Sequence, residues 1–346
     1  MKTWTPRDGD AFLTDESFVF YTFGYEHPPN RVFAFLKYVP SRFKSRFPIP
    51  FLSRRWKLDN IELARPEQLY TARNFRTLLE TYRQSYPDYV YLCPQRQRSL
   101  LAPLRRPIKR VFAPNQCLQG LLEKKRRDRL EATTAELTTL LSTASGVPLE
   151  DFGVHGSIAL NMHTNKSDID LVVYGARNFR KLEKAVDNLV NEKKLEYHCG
   201  HPLDKIRKHK LKFKGKNVVY TAVRKPEEVD SKYGDYKYVQ VTPVAFNCTV
   251  ADDSQAMFRP AVYRIADYSP INPTSEIRRG QEPSTVVSMI GLYRNVARKG
   301  EQLEVSGFLE QVEQVKNGRA HFQVVVGSGT LEDEYMWPKQ AFVHKN

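Results

Sequence analysis

Two aspartates one residue apart, Asp168 and Asp170, open an apolar run that continues through Ile169, Leu171, Val172 and Val173. Alternate residues of an extended backbone share a face, so both carboxylates project into one volume. Side by side they repel each other and are costly to bury unpaired. A divalent cation removes that cost, and Mg²⁺ held by one or two carboxylates plus substrate phosphates is a common arrangement. Ten residues upstream, Gly156-Ser157 closes another short apolar run and leads into a short helix expected at 158–163. Glycine lets the backbone approach phosphate oxygens, and the N–H groups that open the helix point at them. Carboxylates for a cation and a turn for phosphates together make the two halves of a nucleoside triphosphate site.

Gly-Ser, about ten residues, then Asp-apolar-Asp-apolar resembles the signature of the DNA polymerase β-like nucleotidyltransferase superfamily, and Gly156, Ser157, Asp168 and Asp170 match it residue by residue. The chain is also similar over most of its length to a largely archaeal group of predicted nucleotidyltransferases. Arg7-Asp8-Gly9-Asp10, His27-Pro28-Pro29, Tyr38-Val39-Pro40 and the stretch from Phe258 to Tyr263 carry that likeness. The resemblance implies an α+β fold whose core is a small mixed sheet with helices on one face. It implies attack by an acceptor hydroxyl on the α-phosphorus of a nucleoside triphosphate such as ATP, with release of pyrophosphate. Two Mg²⁺ ions would bridge Asp168, Asp170 and the phosphates, while Gly156 and Ser157 hold the β- and γ-phosphates. A third carboxylate is expected on a neighbouring strand. The strands read at 217–223 and 236–250 contain no Asp or Glu, so Asp252, just beyond the second, is the nearest candidate. From the basic cluster between Lys205 and Lys216, Lys210 and Lys212 are taken as the triphosphate contacts.

Charge points to the acceptor. The 346-residue chain carries a net +15, and between Lys37 and Arg127 there are 21 Lys and Arg against six Asp and Glu. An excess so placed favours a polyanionic partner. A small cationic acceptor would call for an acidic pocket, so nucleic acid is expected, with RNA favoured. Aromatics such as Phe33, Phe35, Tyr38, Phe43 and Trp56 interleave with these cations, a composition that stacks bases and holds phosphates but also builds cores. An apolar fraction of 41% and a charged fraction of 27% are those of a soluble globular protein. No apolar run reaches bilayer length, the first residues lack the apolar core of a signal peptide, and no membrane partner is expected. The four cysteines show no paired spacing, so neither zinc nor disulfides are expected, and the compartment expected is cytoplasm.

Periodicity divides the chain into a basic N-terminal α/β region (1–112), a nucleotidyltransferase domain (113–268) and a small β-rich domain (269–346). The first region reads as strands at 17–25 and 31–39, a basic loop at 40–57, and a helix opened by Pro66 with Leu69, Ala72, Leu78, Leu79 and Tyr82 at helical spacing. A single helix is expected over 116–143, N-capped by Asn115, with Lys124 to Arg127 exposed in its middle. Asn178 is expected to cap a helix burying Phe179, Leu182, Val186 and Leu189. Tail strands are expected at 284–294, 302–313 and 320–326. Two alternatives remain. One is an RNA-binding protein that keeps the fold without turnover. The other is a small-molecule or protein nucleotidylating enzyme of the compact antitoxin type, which the large flanking regions disfavour.

Overall fold

In the computed structural model, which describes residues 4–68 and 71–339, three large sheets follow one another along the chain, with a separate two-stranded hairpin beside the first. The first contains β1 (Ala11–Thr14), β2 (Val19–Thr22), β3 (Ala34–Pro40), β4 (Phe51–Leu58) and β5 (Ile61–Pro66). After α1 (Ala72–Ser85) and the hairpin of β6 (Val90–Cys93) and β7 (Arg98–Leu101), β8 (Ile108–Phe112) completes an antiparallel sheet of order β4-β5-β3-β2-β1-β8. Phe12, Phe18, Phe20 and Leu36 pack under α1 against Leu78, Leu79 and Tyr82. Ala11, Leu13, Val19 and Tyr21 bury on the opposite face together with Leu160 and Met162 from the next domain. Both faces are covered, so β1 and β2 are buried at every position.

Several boundaries differ from the sequence reading. The stretch expected as a basic loop forms a short 3₁₀ turn and then β4, where buried Trp56 and Leu58 alternate with exposed Arg55 and Lys57. Pro66 ends β5 instead of opening a helix. α1 starts at Ala72, with Thr71 accepting from the Asn74 N–H. Leu69 lies outside the described residues.

The second sheet follows α2 (Pro114–Glu123) and α3 (Arg129–Ser145). It is built from β9 (Phe152–Val154), α4 (Gly156–Ala159), β10 (Ile169–Tyr174), α5 (Ala176–Asn191), β11 (Glu196–Tyr197), α6 (Pro202–Arg207), β12 (Lys210–Phe213) and β13 (Lys216–Val223). The order is β11-β12-β13-β10-β9, with β10 and β13 parallel and the other pairs antiparallel. Leu137 and Leu141 of α3 and Phe179, Leu182 and Val186 of α5 cover the face formed by Phe152, Val154, Ile169, Leu171 and Val173. This is the α+β core expected, a small mixed sheet with helices on one face. Its other face, bearing Asp170, turns toward the first sheet.

The single helix expected over 116–143 is two. Its cationic middle is exposed, and Asp128 opens α3 with a capping box to Glu131. Arg127 donates to the carbonyls of Leu121 and Leu122 that end α2. Pro114, rather than a side-chain cap at Asn115, begins α2. α5 likewise begins before Asn178, whose amide donates to Tyr174 O and Asp151.

The third sheet comprises β14 (Tyr236–Gln255), β15 (Ala261–Pro270), β16 (Thr285–Ser288), β17 (Gln302–Gln314), β18 (Ala320–Val326) and β19 (Tyr335–Pro338). Its order is β14-β15-β16-β18-β17-β19, and β17 also pairs with β14, closing the first five strands into a barrel with β16 and β18 parallel. Phe246, Tyr263, Leu303, Val305 and Val324 fill it. β14 and most of β15, which the sequence reading placed within 113–268, hydrogen-bond into this barrel. No helix among the described residues is long and apolar enough to cross a membrane.

The capping box is testable. Asp128→Ala should lower stability by about 1 kcal/mol, seen as a lower urea midpoint at unchanged m-value; an unmoved midpoint would contradict the two-helix reading.

Candidate active site

Between the open face of the second sheet and the first sheet lies a cavity of about 340 Å³. Gly156, Ser157, Asp168 and Asp170 all line it. Asp170 is the second residue of β10, and Asp168 immediately precedes that strand. The His155 N–H donates to the Asp170 carbonyl at 2.8 Å, which draws the Gly-Ser turn against the strand. Gly156 adopts φ +63°, and a Cβ there would overlap the Asp170 carboxylate. Only glycine lets the turn approach this closely.

The two carboxylates differ. Asp168 is exposed and accepts from the Asn217 amide at 3.3 Å. Burial pushes the Asp170 carboxyl above its usual range; Lys37 and Arg65 pull it back, and the neighbouring Asp168 adds to the rise. His155, ahead of the turn, packs against Tyr21 of β2 in a tilted arrangement with ring centroids 4.5 Å apart. Burial, then Arg259 and Lys37, lower its pKa to about 3, so it is neutral.

The opposite wall includes Phe35, Tyr38 and Trp56, which the sequence reading named among aromatics interleaved with cations without bringing them or their neighbouring cations to this cavity. It comes from the N-terminal sheet: Tyr21, Phe35, Lys37, Tyr38, Arg54, Trp56 and Arg65. Arg259, in the connection between β14 and β15, pairs with buried Asp8 at 2.9 Å and also lines the cavity, as does Arg294. Six cationic residues thus surround three carboxylates, Asp8 being one. Burial, then Arg65, brings Lys37 down to about 7, with Asp170 opposing. The available signal was a lone lysine inside the apolar run from Val32 to Val39.

Three expected site residues lie elsewhere. Lys210 and Lys212 sit on β12, which β13 separates from β10. Lys210 pairs with buried Asp204 at 3.0 Å and Lys212 is exposed; neither lines the cavity. Asp252 lies on β14 in the barrel and accepts from the Ser254 N–H at 2.7 Å, away from the cavity lining. The parallel register places Val219 beside Asp170 and Thr221 beside Val172. Val219, Thr221 and Val223 line the cavity from β13, which supplies no acid. Asp8, the third carboxylate of the cavity, is taken up by Arg259 and the Gly24 N–H, so the donor set fits one divalent ion on Asp168 and Asp170, and not the second of the two expected. Asp128, Glu131 and His163 form another acidic cluster. The α3 capping box and a 2.7 Å contact between His163 and Asp128 account for it.

Residues 139–230 match the family model described as a nucleotidyltransferase domain. The chain carries that domain, with flanking regions on both sides, and the domain supports nucleotidyl transfer in general. Over nearly its whole length the chain is similar to an uncharacterised protein of Methanocaldococcus jannaschii. Identity is 25% over 345 residues, covering 93% of this chain and 95% of the relative. No solved structure matches the chain significantly.

Two substitutions separate the turn from the misplaced lysines. Gly156→Ala should abolish nucleotide binding in a fluorescent-nucleotide titration, since φ > 0 alone costs roughly 1–2 kcal/mol before the overlap with Asp170. Lys212→Ala should leave that affinity unchanged, and a clear loss would restore β12 to the site.

Proposed function

We propose that this chain is a Mg²⁺-dependent nucleotidyltransferase that moves a nucleoside monophosphate from a triphosphate such as ATP to a hydroxyl of a nucleic acid, with RNA favoured. The observation that carries the reading is the juxtaposition of Asp168 and Asp170 with the Gly156-Ser157 turn in one cavity walled by cations. Bound on the two carboxylates, Mg²⁺ would neutralise phosphate charge and favour in-line displacement. The turn's N–H groups and the Ser157 hydroxyl hold the β- and γ-phosphates. Arg54, Arg65 and Lys166 offset the charge of the triphosphate and of the incoming acceptor.

The charge around the site supports a polyanionic acceptor. Arg42, Lys44, Arg46, Arg55 and Lys57 are exposed on the 3₁₀ turn and β4, on the same edge that sends Arg54 into the cavity. Such cations track phosphates without reading sequence. A recessed cavity suits a single-stranded end, the form in which proteins most often recognise RNA. A binding-only reading draws on the absence of an acid from the β13 face.

Incubation with Mg²⁺, labelled triphosphates and total RNA distinguishes them. Label should enter RNA, and Asp168→Asn with Asp170→Asn should abolish incorporation. Salt-dependent RNA binding with no incorporation by the unaltered protein would favour the binding-only reading. Incorporation persisting in the double variant would refute the assigned site. Label on polypeptide would move the acceptor to protein.

A further inference from the structure

The β2–β3 ladder pairs Val19 with Tyr38 and Phe20 with Leu36, leaving Lys37 as the extra residue of a bulge. Bulges re-aim side chains and are over-represented beside active sites. Strict alternation would put Lys37 and Tyr38 on opposite faces. With the bulge, Phe35, Lys37 and Tyr38 all line the cavity. The Lys37 ammonium lies 5.4 Å from the Tyr21 ring centroid and interacts electrostatically with Asp170. Burying a charge is costly without an anionic partner, and this position supplies one from the catalytic strand.

On β13, the positions beside Asp168, Asp170 and Val172 are Asn217, Val219 and Thr221. A second divalent ion finds no carboxylate there. We infer that Lys37 is a catalytic cation that takes the place of this second ion, its ammonium contacting the α-phosphate while a single divalent ion rests on Asp168 and Asp170. This rests on the nucleotidyltransferase reading of the same cavity.

In the step itself, the acceptor oxygen bonds to the α-phosphorus as the bond from that phosphorus to the bridging oxygen breaks. The electron pair leaves with pyrophosphate, and the hydroxyl proton passes to water. Negative charge on the non-bridging α-oxygens is what a preorganised ammonium stabilises. The incoming triphosphate, itself anionic, favours the charged form of Lys37.

The test counts ions on the full chain, using Mn²⁺ and a triphosphate carrying a methylene bridge between the α- and β-phosphorus. Electron paramagnetic resonance should report one bound Mn²⁺ per chain in the unaltered protein and in Lys37→Met. Turnover of Lys37→Met on a normal triphosphate should fall on the order of 10²-fold with a smaller change in nucleotide KM, and Lys37→Arg should recover part of it. Two Mn²⁺ per unaltered chain would overturn the inference and leave the nucleotidyltransferase reading standing. So would full turnover in Lys37→Met. No bound Mn²⁺ at all would overturn both. If Lys37→Met fails to fold, as a thermal melt would show, the ion count of the unaltered protein still decides.

Discussion

Two carboxylates of like charge meet where two sheets face each other, and the surrounding structure has to make that arrangement tolerable. Asp170 is deep enough for burial to disfavour its charge, and Asp168 adds repulsion from two residues away. The second sheet offers little relief, since β13 contributes Asn217, Val219 and Thr221 beside them. Compensation comes from outside the nucleotidyltransferase domain, through Lys37 and Arg65 of the N-terminal sheet. Cations facing an acidic pair make a site that attracts anions while retaining a place for a metal, a combination suited to a nucleoside triphosphate.

The fold holds this apposition at several points. Leu160 and Met162, just after the Gly-Ser turn, are buried in the core beneath the N-terminal sheet. Tyr21 of that sheet packs against the ring of His155, whose backbone in turn fixes the turn to β10. Behind the turn, Gly153 of β9 lies so close to Pro114 that a Cβ would meet it at 2.7 Å. The barrel reaches in through Arg259, which neutralises Asp8. Parts from all three sheets therefore converge on one cavity, and disturbance of a remote wall should be felt at the carboxylates.

Legibility in the sequence followed locality. Gly156, Ser157, Asp168 and Asp170 lie within fifteen residues of one another, and their periodicity and turn chemistry carried enough information to place them together. Lys37 and Arg65 reach the cavity through a sheet more than ninety residues upstream, and a one-residue bulge decides where Lys37 points. Alternation alone cannot reveal that. Lys210 and Lys212 were drawn in by charge density, yet β13 intervenes between their strand and β10. The apolar stripe across 116–143 read as continuous because its hydrophobic spacing survives the break, while Asp128 and its capping box decide where α3 begins. β14 read as a strand, but its partner β17 lies some sixty residues later, so its membership of the barrel was not local information.

The central claim is that Asp168 and Asp170 grip a divalent ion opposite a turn that cradles phosphate. Anomalous diffraction from crystals soaked with Mn²⁺ and a non-transferable triphosphate tests it most directly. The account predicts a manganese peak bridging the two carboxylates, with the β- and γ-phosphates against Gly156 and Ser157. Nucleotide seated elsewhere, or the carboxylates free of metal beside a bound triphosphate, would contradict it.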